Sequence, residues 1–66
     1  MKDVVVIPTY NEKENIGVLI PLIFKIIPDI SVVVVDDSSP DGTADTVKNL
    51  KYQYPKLSLI SRSKKD

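Results

Sequence analysis

The chain has 66 residues, nine basic and nine acidic, with 42% hydrophobic residues and neither Cys nor His. That length allows one small domain or a portion of a larger one, since so short a chain buries only about 60% of its unfolded surface. Disulfides, thiolate metal sites and His-based catalysis are excluded; the balanced charge argues against a nucleic-acid partner, and no run approaches the ~20 apolar residues of a membrane span.

Lys2 and Asp3 lead directly into a short apolar run rather than the longer one of a secretory leader, and the lack of Cys fits a reducing, cytoplasmic setting. Val4-Val5-Val6-Ile7 is β-branched throughout and closed by Pro8, which predicts a strand buried on both faces. Asn11 and Glu14 have the spacing of a capping box, which predicts a helix over residues 12–27. On that helix Gly17, Pro21 and Lys25 fall on one line, the expected solvent stripe. Pro21 in a helix interior costs about 3 kcal/mol. It bends one helix around a core or opens the second of two short ones.

Pro28 stops the helical pattern, and residues 30–35, with four consecutive valines, predict a second strand. Ser39 then suits a helix cap, Pro40 the first helical position and Asp41 the positive end of the dipole. The helix they open is expected to reach Tyr54, with Ala44, Val47, Leu50 and Tyr54 on its inner face. Leu57–Ser61 predicts a weaker third strand, followed by a basic tail in which Lys64 and Lys65 suit either a solvated loop or an anionic surface.

A βαβαβ order implies three parallel strands joined by right-handed crossovers, with both helices on one face of the sheet. The other face is equally apolar and has nothing in these 66 residues to cover it, so the unit is expected to be incomplete. In open parallel sheets, ligands bind beyond the carboxyl ends of the strands. Those ends carry Pro8-Thr9-Tyr10-Asn11-Glu12 and Asp36-Asp37-Ser38. An aromatic face beside carboxylates suits a nucleoside, with Tyr10 stacking on the base and a carboxylate accepting from a ribose hydroxyl or base N–H.

The glycine-rich turn of dinucleotide-binding domains is missing, so a nicotinamide domain is not expected. Blander roles also account for single residues: packing for Tyr10, capping for Asn11 and Glu14, loop amides for Asp36. A purely structural loop, however, has no need of two adjacent carboxylates. Two rival classes stay open: a non-catalytic nucleotide-binding module, and a receiver-like signalling domain, whose acidic pair also follows a valine-rich strand.

The stretches Val6-Ile7-Pro8-Thr9-Tyr10-Asn11-Glu12-Lys13-Glu14-Asn15-Ile16 and Val33-Val34-Val35-Asp36-Asp37-Ser38-Ser39-Pro40-Asp41-Gly42-Thr43 resemble the family-two glycosyltransferases. The likeness is greatest to the polyprenol-phosphate (dolichol-phosphate) mannosyl- and glucosyltransferases. It implies a Rossmann-like GT-A fold, of which residues 1–66 would be the N-terminal nucleotide-binding part. It further implies that Pro8, Tyr10 and Glu12 line the nucleotide pocket, that Val35 and Asp37 surround base and ribose, and that Asp36 supports them from behind. Members of the family move a sugar, with inversion, from GDP-mannose or UDP-glucose to a polyprenol phosphate at the cytosolic membrane face. They use Mg2+ or Mn2+ on an Asp-x-Asp motif. That motif does not occur in this chain, nor does the family's Gly-Leu-Gly stretch, so no catalytic or metal-binding residue is expected here and the chain alone should not turn over. Pro21 lies outside the family pattern.

Overall fold

The computed structural model describes residues 3–62; Lys64 and Lys65 lie outside that range. Within it the chain runs β1 (Val4–Thr9), α1 (Lys13–Ile26), β2 (Ser31–Asp36), α2 (Thr43–Lys51) and β3 (Leu57–Ser61). The three strands are parallel in the order β1-β2-β3. The expected α/β architecture is therefore present, and its register sorts the side chains. Val5, Val32 and Leu57 stand level across the sheet, as do Ile7, Val34 and Leu59, and then Thr9, Asp36 and Ser61.

Those rows face the helices. Ile16, Ile20 and Phe24 of α1 and Val47 of α2 join Val32, Val34 and Leu57 in one buried cluster, so both helices cover the same face. Each full burial of a Val, Leu or Ile side chain contributes about 1.5–3 kcal/mol. At the amino-terminal end of the strands the rings of Phe24 and Tyr54 stack, 4.9 Å apart and 8° from parallel.

The alternate rows have no covering layer among the described residues. Val4 and Val6 are 59% and 60% exposed and Ile60 is 52% exposed, which corrects the expectation that the first strand is buried on both faces. Only one face of β1 is packed. β1 is also an edge strand. The carbonyls of Asp3 and Thr9 accept from the amides of Ser31 and Asp37, so odd-numbered residues turn their backbone groups toward β2. Val4, Val6 and Pro8 consequently turn theirs to the open edge, the position in a sheet that tolerates a residue without an N–H.

α1 is a single helix with Pro21 inside it, which decides between the two expected forms. The expected solvent stripe is corrected. Gly17 and Pro21 are half-buried, and a Cβ on Gly17 would stand 3.9 Å from the Thr46 methyl of α2. The open face of α1 is instead apolar, with Val18 and Ile26 70% and 67% exposed. The packing of α1 against α2 beside Gly17 and Thr46 takes this line out of solvent, and that tertiary contact outweighs the hydropathy pattern. α2 stops at Lys51, short of the expected Tyr54, and a turn through Tyr52 and Gln53 leads to β3.

Candidate nucleotide-binding site

β1 and β2 end side by side, with Thr9 level with Asp36. Side chains alternate across a strand, so the adjacent Asp36 and Asp37 take different environments. Asp36 points inward and is 1% exposed. The Thr9 hydroxyl donates to its Oδ1 at 2.9 Å, the Ser39 hydroxyl to the same oxygen at 2.6 Å, and the Ser39 amide to Oδ2 at 3.1 Å. Burial raises the pKa of this carboxyl, but the bonds from Ser39 and Thr9 together outweigh burial and hold it below the usual aspartate value.

The same loop caps α1. Three consecutive amides, those of Asn11, Glu12 and Lys13, donate to Ser39 Oγ (2.8 Å), Thr43 Oγ1 (3.1 Å) and Asp41 Oδ2 (3.2 Å). Asp41 Oδ1 in turn accepts from the Thr43 amide at 3.0 Å and the Thr43 hydroxyl at 2.5 Å. The Thr43 hydroxyl bond is the main cause that holds the Asp41 carboxyl below its usual range, with bonds from the backbone amides of Lys13, Thr43 and Asp41 itself adding to it.

Two capping expectations are corrected by this network. No capping box forms at Asn11, because Glu12 is the N-cap of α1 and makes no side-chain cap bond. Glu12 Oε1 instead accepts from the Asn15 side-chain amide at 2.9 Å. Nor do Ser39 and Pro40 open α2. Its N-cap is Gly42, at φ +90°, a left-handed backbone that glycine adopts without steric cost. Helix termini need donors and acceptors from somewhere, and here tertiary partners supplied by the neighbouring loop displace the local ones.

Pro8, Thr9, Tyr10, Val35, Asp37 and Arg62 line an open cleft of about 290 Å3 at this rim. Pro8 and Val35 are register partners and form its apolar floor. Tyr10 is 56% exposed and stands on the β1 side, while Asp37 follows β2. Four of the five expected pocket residues therefore share one cleft. Glu12 does not line it. That residue lies in a neighbouring polar hollow with Asn11, Lys13, Glu14, Asn15 and Asp41, because the turn through Asn11 (φ +55°) carries the chain away into α1.

Thr9 and Arg62 are the cleft residues that sequence reasoning missed. The period-two alternation that places Asp36 inward places Thr9 beside it. Arg62 is the first residue past β3, tied in by its amide donating to the Asp36 carbonyl at 2.7 Å and its own carbonyl accepting from the Ser38 hydroxyl at 2.5 Å.

Among the described residues no group of three Asp or Glu side chains is placed to hold a metal ion. Asp36 and Asp41 are both engaged by hydroxyls and amides. The described residues do not fit a divalent cation site.

The model of glycosyl transferase family 2 matches residues 4–66, and the chain belongs to that family. The chain is 36% identical over its full length to an undecaprenyl-phosphate mannosyltransferase of Micrococcus luteus, covering 27% of that protein. It is 42% identical to a dolichol-phosphate mannosyltransferase of Pyrococcus furiosus, with 97% of this chain and 18% of the relative aligned. A polyprenol monophosphomannose synthase of Mycolicibacterium smegmatis is 35% identical, over 97% of this chain and 24% of its own length. The fold is shared with a mannosyltransferase of Pyrobaculum calidifontis solved in complex with GDP-Man and Mn2+, at a TM-score of 0.81 and 31% identity over 94% of this chain and 19% of that one. The chain thus spans about a quarter or less of the length of these relatives. Family membership accounts for the acidic pair and also for β1 and α1, which a receiver-like domain beginning at β2 would leave unexplained.

Proposed function

We propose that residues 1–66 are the N-terminal nucleotide-binding part of a GT-A glycosyltransferase that moves mannose, with inversion, from GDP-mannose to a polyprenol phosphate. The observation that carries this reading is the convergence of Pro8, Tyr10, Val35 and Asp37 on one cleft beyond the carboxyl ends of adjacent parallel strands. In that cleft the Tyr10 ring is the platform for the base, a contact of about 1–3 kcal/mol for base on aromatic ring. The apolar floor of Pro8 and Val35 excludes water beneath it, and the Asp37 carboxylate accepts from a ribose hydroxyl or a base N–H. Asp36 holds the floor in place by tying β1 to the loop after β2. Glu12 takes its part from beside the cleft, at the start of α1.

GDP-mannose is favoured over UDP-glucose as donor because the similar Pyrobaculum structure holds GDP-Man and the similar curated proteins are named for mannose transfer. The Mn2+ of that structure is the kind of ion a nucleoside-diphosphate donor needs, and its ligands would come from outside the described residues. A polyprenol acceptor puts the reaction at the cytosolic face of a membrane. No helix among the described residues is long and apolar enough to cross one.

Titrating GDP into the protein and following backbone amide shifts tests the cleft. Tyr10→Ala and Asp37→Ala should each weaken GDP at least tenfold, with the largest shifts around residues 8–11 and 35–39. Unchanged affinity in both variants would refute the reading, and sugar transfer by these 66 residues alone would show that the reaction needs nothing beyond them.

A further inference from the structure

The cleft carries one group that the nucleoside reading has not used. Among its described lining residues Arg62 is the single cation, reaching the rim from the β3 side, across Asp37 from Tyr10. Building on the proposed nucleoside site, we infer that Arg62 reads the base, and that a guanidinium beside the Asp37 carboxylate selects guanine.

The alternative use for a cation here is the diphosphate, and the surroundings argue against it. Phosphates seek free amides at a helix N-terminus. At the start of α1 the amides of Asn11, Glu12 and Lys13 already donate to Ser39, Thr43 and Asp41, and the hollow around the next amides is lined by the carboxylates of Glu12, Glu14 and Asp41, which repel a phosphate. A diphosphate set against Arg62 would also lie next to the Asp37 carboxylate, which repels it. A ligand edge that carries donors and acceptors side by side has neither difficulty.

Guanine has such an edge. Its N1–H and N2 amino groups donate, and its O6 and N7 accept, so a carboxylate can take the first pair while a guanidinium forks onto the second. Adenine puts an amino donor where guanine has O6, and meets the guanidinium with repulsion. Uracil offers a single N–H flanked by carbonyls and lacks an acceptor equivalent to N7. Arg62 is anchored for this task through its backbone rather than its side chain. The bonds to the Asp36 carbonyl and from the Ser38 hydroxyl fix the main chain and leave the guanidinium free to turn toward a base.

Three ligands separate the outcomes: GDP, guanosine without phosphates, and ADP. In Arg62→Gln, GDP and guanosine should both weaken by about tenfold or more, the usual worth of a bidentate contact to guanine, while ADP stays where it was and the guanine preference shrinks. A loss confined to GDP, with guanosine unchanged, would assign Arg62 to the phosphates and overturn the inference. Equal affinity of wild type and variant for both guanine ligands would overturn it as well. Asp37→Ala and Tyr10→Ala run beside it decide at which level a failure lies. If they weaken guanosine and Arg62→Gln does not, only the role of Arg62 falls; if they too change nothing, the nucleoside reading falls first.

Discussion

Asp36 and Asp37 share a side chain and adjoin in sequence, yet strand alternation gives them unrelated work. Asp36 is the buried knot between the end of β1 and the loop after β2, satisfied by three hydrogen bonds. Its native pKa lies below the usual 3.8, so its contribution to stability is complete above that value. The contribution drains away as pH falls from there through the lower native value. Urea unfolding at pH 7 and pH 3 should therefore show Asp36→Asn less stable than wild type at neutral pH, with the gap narrower in acid. A gap of equal size at both pH values would show that the charge is irrelevant. The pairing of carboxylates was legible as a sign that one of them was surplus to structure. The family resemblance already points to Asp37 as the one free for a ligand, and the register that sets Thr9 opposite Asp36 adds the physical reason that Asp36 is taken up by structure. Arg62 was illegible because its significance comes from β3 lying beside β2, and no local pattern encodes that adjacency.

At the scale of elements, every strand and helix was readable from apolar runs and their punctuation, β3 to both of its ends, whereas the caps of both helices and the end of α2 were not. Residues 39–43 carry the vocabulary of a helix start, Ser-Pro-Asp-Gly-Thr, and Asp41 and Gly42 do serve the start of α2, but the same segment also caps α1. Local rules assign a cap to the segment that follows it. Here the partner is Asn11–Lys13, about thirty residues upstream in the chain and adjacent only once the sheet has formed. The proline of α1 is a second case of context prevailing. Pro21 removes the hydrogen bond that the Gly17 carbonyl would accept and crowds it, yet the helix continues from Lys13 to Ile26 because Ile16, Ile20 and Phe24 are held in the core on either side. Replacing Pro21 by Ala should restore that bond and raise stability by up to about 3 kcal/mol. The denaturation midpoint measures it, and an unchanged or lower midpoint would mean that the proline itself is needed for the packing of α1.

At the largest scale, the described residues form a sheet with helices on one side only. Alternate residues on its far side, Val4, Val6 and Ile60, are apolar and more than half exposed, an arrangement that parallel sheets seldom leave in contact with water. Together with the open edge of β1 it predicts self-association of the isolated chain. Val6→Lys sets a charge in the middle of that face without touching the core. Sedimentation should show less association for the variant, with a melting temperature close to wild type; undiminished association would place the sticky surface elsewhere, on the apolar side of α1.

The open edge has a built-in limit. Any polypeptide that docks alongside β1 can pair with the outward-turned groups of Val4 and Val6, but at Pro8 it meets a ring where an amide donor should be. The ladder loses a donor there, one residue short of Thr9 and two short of Tyr10. Pairing is weakest just below the rim, which favours an incoming segment leaving the edge before it reaches the tyrosine ring.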